Sequence, residues 1–113
     1  MLEVKDKGRI LQIRKHCERI EEKVSNLNQE AFNQDLDVRE IICFNLFQIG
    51  ELAKGLSDEF IKEYDEIPWK QIKGMRNRIG HGYDTIDTVI VYQTATESIP
   101  ELKHYCTSIL NKS

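Results

Sequence analysis

From Ile10 to Leu27 the apolar side chains recur at alternating intervals of three and four: Ile10, Ile13, Cys17, Ile20, Val24, Leu27. That spacing draws one narrow stripe along an α-helix and predicts a first helix over Val4 to Leu27. The polar segment Asn28 to Asp35 reads as a connection with room for one helical turn. A second helix is expected over Asp37 to Leu56. Its middle, Ile41 to Ile49, is apolar on nearly every side, so it either lies at the centre of the fold or is covered by a partner subunit. Asn45, Gln48 and Glu51 interrupt it as a slanted polar line. That line either faces solvent and core hydrogen bonds or borders a functional groove.

Gly55 loosens the end of this helix. Ser57 then stands as an N-cap ahead of Asp58 and Glu59, opening a short helix that ends near Asp65. Pro68 suits the first turn of a further helix. Trp69, Ile72, Met75 and Ile79 mark one face of that helix from Pro68 to Ile79, and Gly80 and Gly82 are expected to break it. Ile86, Val89, Ile90 and Tyr92 belong to the next helix, capped by Asp84 or Thr85. Pro100 permits a bend into a last helix carrying Leu102, Tyr105, Cys106, Ile109 and Leu110. No stretch sustains the alternation of a strand. The expected fold is therefore an all-α up-and-down bundle of four to five main helices, residues 1–113 forming a single domain.

Charge changes this picture locally. The net charge of −3 argues against a general nucleic-acid coat protein. Between Ile67 and Tyr83, however, stand Lys70, Lys73, Arg76, Arg78 and His81 with no acid among them. A basic patch on an acidic body suits binding of a polyanion at one place; a merely basic solvated face is the plain alternative. No apolar run approaches membrane-spanning length and no apolar signal region opens the chain, so a cytoplasmic protein is expected. Cys17, Cys43 and Cys106 are odd in number, far apart and without paired metal-ligand spacing. They read as buried free thiols, and no metal site or cofactor is expected.

The patch contains the chemistry. In Arg76-Asn77-Arg78-Ile79-Gly80-His81-Gly82-Tyr83 a permanent cation able to fork onto a phosphate precedes a side chain that moves protons near neutral pH. On a regular helix Asn77 and His81 share a face, whereas Arg76 and His81 are turned roughly 140° apart. Flexible backbone at Gly80 and Gly82, or a second copy of the motif from a two-fold partner, would bring them to one phosphate. At a helix C-terminus the dipole favours protonated His81, which suits an acid. Taken singly, His81 reads as a cap, Arg76 and Arg78 as surface ion-pair members and Tyr83 as a packing residue.

Together these residues resemble the Arg-x4-His-x-Tyr signature of HepT-like proteins in the HEPN superfamily. The resemblance extends to Ile49-Gly50-Glu51-Leu52-Ala53-Lys54, to the lead-in Ile67-Pro68-Trp69-Lys70-Gln71-Ile72-Lys73-Gly74-Met75, and to Ile99-Pro100-Glu101-Leu102. Gly80 stands where many relatives have leucine or valine and is expected to loosen the site. The resemblance implies a homodimeric, metal-independent endoribonuclease, the toxin of a HepT/MNT toxin–antitoxin pair. It implies Arg76 and His81 as the catalytic pair, Asn77 as their support, and Tyr83 as the residue to which an MNT-type nucleotidyltransferase antitoxin attaches AMP. Lys70, Lys73 and Arg78 are candidate RNA-steering charges. The alternatives are a catalytically silent HEPN module that binds RNA, nucleotide or its nucleotidyltransferase partner, and a purely structural helical dimer.

Overall fold

A computed structural model describes residues 2–112 and contains no strand among them. The stripe on the first helix does what its spacing dictates. In α1, Val4–Val24, the side chains of Ile10, Ile13, Cys17, Ile20 and Val24 are all buried. They pack against α3, Leu36–Lys54, and α7, Ile99–Lys112. From α3 come Ile42, Leu46, Ile49 and Ala53, and from α7 Ile99, Leu102, Cys106 and Ile109. The apolar middle of α3 is thus central in the chain's own fold. Phe44 is the exception, 60% exposed.

Polar groups inside this assembly are paired, as burial demands. Asn45 is buried, donates to the Ile41 carbonyl (2.7 Å), and its Oδ1 meets His16 Nδ1 of α1 at 2.7 Å. That contact requires His16 to carry its proton on Nδ1. Asp6 is also buried. Its carboxylate accepts the Ser57 backbone N–H (3.0 Å) and hydroxyl (2.7 Å), while the Ser57 Oγ accepts from Phe60 N. Ser57 is therefore the N-cap expected for α4, Asp58–Glu63, and Asp6 ties that cap to the start of α1.

Several boundaries differ from the pattern-based expectation. The connection after α1 contains a helix, α2, Gln29–Gln34, because Asn28 caps it by accepting from Ala31 N and Phe32 supplies a buried anchor. α3 likewise starts a residue early, capped by Asp35. The largest correction concerns α5, Trp69–His81, which runs straight through Gly80 and ends only at Gly82, the one described residue with positive φ (+144°). Glycine weakens a helix but does not end it unless the backbone must turn left-handed. Tyr83–Thr85 then forms a 3-10 turn, and α6, Thr88–Gln93, is capped by Asp87 rather than by Asp84 or Thr85. Between α6 and α7 lies a π-helical turn, Thr94–Ser98, closed by Ile99 N–H bonding back to the Thr94 carbonyl. It precedes Pro100, which has no N–H to continue the ordinary ladder. No helix among the described residues is long and apolar enough to cross a membrane.

Candidate functional site

α5 is anchored at its start and open along its length. Trp69 is its one buried residue; the indole N–H donates to the Tyr64 carbonyl (2.9 Å), and the ring meets Phe60 edge-on. Beyond it only Ile72, Met75 and Ile79 lean on the core, and α5 rests chiefly on α3. Lys70, Lys73, Asn77 and His81 are all exposed. Their spacing of three and four residues places them on one side of the helix. Arg78 is also exposed but is turned about 100° from Asn77 by the helical repeat. Three of the five charges in the patch thus form a solvent-facing stripe ending in His81 at the helix C-terminus.

Arg76 is treated differently. It sits at the seam with α3, where a Cβ on Gly50 would overlap the Arg76 Cβ and Cγ. Glycine at 50 is what lets the arginine stem lie against the α3 backbone. The guanidinium then has two neighbours from α3. Nε donates to Glu51 Oε1 at 2.6 Å, and Cζ lies 4.6 Å from the centroid of the Phe47 ring, within cation–π range. Nη1 lies 3.4 Å from Asn77 Oδ1. It is also 3.4 Å from where a Cβ on Gly80 would stand. The guanidinium therefore extends one turn down α5 toward the level of His81. This reduces the angular separation that the helical repeat imposes on the two residues. A Cβ on Gly80 would meet the Phe47 ring first, at 3.3 Å, so Gly80 lets that ring lie close to a continuous helix; it does not break the helix. Side-chain exposures of 28% for Arg76 and 38% for Glu51 leave the pair accessible from solvent.

Tyr83 follows the left-handed turn at Gly82. Its side chain is 39% exposed and faces α3 at Glu40 and Cys43. Partial burial, with the charge and hydrogen-bonding of the Glu40 carboxylate behind it, raises the phenol above its ordinary pKa. Glu40 lies about two turns of α3 before Phe47, so the Tyr83 hydroxyl is directed to the region of α3 beyond the Arg76 clamp. A cavity of about 320 Å³ opens beside it, between α3, the 3-10 turn and α6.

The slanted polar line on α3 crosses from one neighbour to the other: Asn45 bonds α1 and Glu51 holds Arg76 of α5. Asn45 thus makes the core hydrogen bonds of one reading, and Glu51 stands beside the cation of the motif. The sequence offered Glu51 through its spacing and, with Gly50, through the resemblance of segment 49–54, but it did not pair either with Arg76; nothing in it singled out Phe47, whose role depends on which helix lies opposite. The three thiols are buried; burial raises Cys43 to about 11, and burial first, opposed by Arg14, raises Cys106 to about 12. Among the described residues no three His, Cys, Asp or Glu side chains are grouped as metal ligands.

Comparisons with known proteins identify the family. A protein named "Putative RNase" from Caldanaerobacter subterraneus subsp. tengcongensis is 34% identical over 100 residues, 88% of this chain and 89% of that one. A "Probable ribonuclease HepT" from Thermococcus cleftensis is 31% identical over 83 residues, covering 66% of this chain and 76% of its own. No solved structure gives a significant match. The family model described as "Ribonuclease HepT-like" matches residues 13–109, and the chain belongs to the HepT-like ribonuclease family of HEPN proteins.

Proposed function

We propose that this chain is a metal-independent endoribonuclease, acting as one HEPN domain per protomer of a homodimer, and the toxin of a HepT/MNT toxin–antitoxin pair in the cytoplasm. The observation that carries the reading is the reach of the Arg76 guanidinium along α5 to the level of Gly80, the residue before His81, which favours a shared anionic ligand. RNA supplies its own nucleophile. The 2′-oxygen bonds to phosphorus as its proton passes to solvent water, the bond to the 5′-oxygen breaks, and that oxygen takes up a proton. A 2′,3′-cyclic phosphate and a 5′-hydroxyl result. His81, at the helix C-terminus, serves as the acid that protonates the leaving oxygen. Arg76, through its Nη edge, stabilises the charge gathered on the phosphate. Asn77 supports the pair, and Lys70, Lys73 and Arg78 draw in the strand. Two-fold pairing fits the large exposed Phe44 ring on α3 and would set two motifs across one cleft.

Tyr83 is the off switch in this reading. Its hydroxyl attacks the α-phosphate of ATP bound by the MNT-type nucleotidyltransferase, pyrophosphate leaves, and Glu40 is the nearby acceptor for the proton. The added AMP carries a phosphate that competes with RNA for the cations of α5.

The test is cleavage of a structured RNA by purified protein in EDTA, beside Arg76→Ala and His81→Ala. Loss of about 10²-fold or more in each variant is expected, with cyclic-phosphate ends from the wild type. Retained cutting by His81→Ala, or dependence on added metal, overturns the mechanism. The regulatory half is tested by co-expressing Tyr83→Phe with the nucleotidyltransferase: growth should stop if the tyrosine is the switch. Sedimentation of wild type against Phe44→Glu tests the dimer.

A further inference from the structure

The cavity beside Tyr83 lies outside the cationic stripe, and the chemistry assigned above makes no use of it. At about 320 Å³ it falls at the small end of ligand pockets, about 300 Å³ and upward, so it suits one planar ring system. Leu36, Cys43, Ile86 and Val91 give it apolar walls, and Tyr83 lends an aromatic ring. Thr88 adds a hydroxyl-bearing side chain, and Asp84 and Arg39 a carboxylate and a cation, with one Arg39 nitrogen, Nη1, donating to the Asn33 carbonyl (2.7 Å). Apolar walls beside an aromatic ring are surroundings a nucleobase takes when it leaves a stack.

Its position is tied to the motif through α3. Arg39, Cys43, Phe47 and Gly50 follow one another at intervals of three and four, so a single face of α3 carries both the cavity and the Arg76 clamp. Cys43 in the cavity and Gly50 under Arg76 are separated by a rise of about 10 Å along the helix. A strand whose phosphate sits at Arg76 can therefore place the base of a flanking nucleotide in the cavity.

The polar pair selects among bases. An ionised carboxylate only accepts hydrogen bonds, and a guanidinium only donates them. Guanine alone among the four bases offers two adjacent N–H donors on its pairing edge, beside O6 and N7 acceptors of the kind arginine grips. Adenine and cytosine offer one amino group next to an acceptor, and uracil one N–H between two acceptors.

We propose that this cavity is a base-binding subsite that prefers guanine in a nucleotide flanking the cleaved phosphate, with Asp84 as the selecting residue. The proposal rests on the ribonuclease reading for its role in cleavage but not for its binding. AMP attached to Tyr83 would lie at the mouth of the same cavity and exclude the base.

Binding is tested directly on the wild-type chain, which cannot cut a mononucleotide. Backbone amide shifts are followed by NMR during titration with 3′-GMP, 3′-AMP, 3′-CMP and 3′-UMP. Shifts should centre on residues 39, 43 and 83–91, with 3′-GMP bound most tightly, and Asp84→Asn should weaken 3′-GMP about tenfold or more while leaving the other three within about twofold. Equal affinity for all four, shifts confined to the Lys70–His81 stripe, or an unchanged 3′-GMP affinity in Asp84→Asn overturns the subsite. Cut-site mapping on a mixed-sequence RNA provides the second arm. The wild type should show guanine at one fixed position beside the cut, and Asp84→Asn should lose that preference. Cleavage without guanine preference and without 3′-GMP binding removes the subsite alone. Selective 3′-GMP binding without cleavage removes the ribonuclease reading and leaves the subsite.

Discussion

The two sides of α3 are built to different rules. The side carrying Ile42, Asn45, Ile49 and Ala53 is closed: each residue is buried, and its buried amide is fully engaged by His16 and the Ile41 carbonyl. The side carrying Cys43, Phe47, Gly50 and Glu51 meets the cavity beside Tyr83 at Cys43 and, from Phe47 onward, a helix with one buried residue and an accessible ion pair. The closed side supplies most of the packing; a buried isoleucine contributes about 1.5–3 kcal/mol by leaving water. The open side gives up some of that packing to hold one cation in a reachable place. Gly50 and Gly80 each omit a side chain at the seam: at Gly50 the space goes to the Arg76 stem, and at Gly80 to the Phe47 ring and the tip of Arg76.

If that division is right, substitutions on the two sides should separate stability from activity. The largest expected effect on folding is at the closed side. Ile20→Ala or Ile49→Ala should cost about 2–5 kcal/mol in urea unfolding, with cleavage per folded molecule unchanged. A matching fall in specific activity would show that the site depends on the core more tightly than the geometry says. His81→Ala is the converse: about 10²-fold less cleavage, with a melting temperature close to wild type because the imidazole is exposed.

Gly50→Ala lies on the seam and should affect both properties. Its Cβ meets the stem of Arg76 near the backbone, so α3 and α5 must separate, at a cost of about 1–3 kcal/mol. Arg76 would move with α5, and cleavage should fall in the same variant. Glu51→Gln is milder. It keeps the shape but removes the charge that orients the Arg76 Nε, and for a half-exposed pair this amounts to about 1 kcal/mol, or roughly fivefold in kcat. Stability should hardly change, and Glu51→Asp should restore less than the full rate because the shorter carboxylate falls short of Nε.

The way each side is built also explains what could be read in advance. α1 was legible almost to the residue, because Ile10, Ile13, Cys17, Ile20 and Val24 repeat with the helix period and burial follows period. It stops at Val24 rather than Leu27, whose carbonyl instead accepts the Tyr92 hydroxyl (2.6 Å); a tertiary hydrogen bond of that kind leaves no mark on local pattern. At the site, Arg76, Asn77, His81 and Tyr83 stood out by residue type, and Lys70 and Lys73 by charge. Their support did not. Phe47 looks like any core aromatic, and Gly50, though within a segment that resembles the family, gave no sign of which side chain it makes room for. Gly80 gave the opposite signal, since glycine near a helix end usually marks that end and here serves close packing of a side chain from the turn before.

The smallest effect concerns pH and the buried thiols of both sides. Burial holds Cys43 and Cys106 protonated to about 11 and about 12, and Cys17 higher still. In the unfolded chain these thiols ionise near about 8.5. Folded values above unfolded ones mean that the stability they contribute is complete below about pH 8.5 and declines as pH rises toward 11. Urea unfolding at pH 7, 9 and 10 should show that decline, with the thiols of folded protein unreactive to a disulfide reagent at pH 8. Stability rising over the same interval would contradict the burial of the thiols.

The central claim is that the open side of α3 and the stripe of α5 cut RNA through the substrate's own 2′-hydroxyl. The most direct measurement uses one RNA whose cut site has been mapped, made again with a single 2′-deoxy nucleotide at that site, and digested in EDTA. Cleavage at that position should disappear while neighbouring cuts persist. Unchanged cleavage of the deoxy-substituted strand would mean that another nucleophile attacks the phosphate, and the roles given to Arg76 and His81 would be wrong.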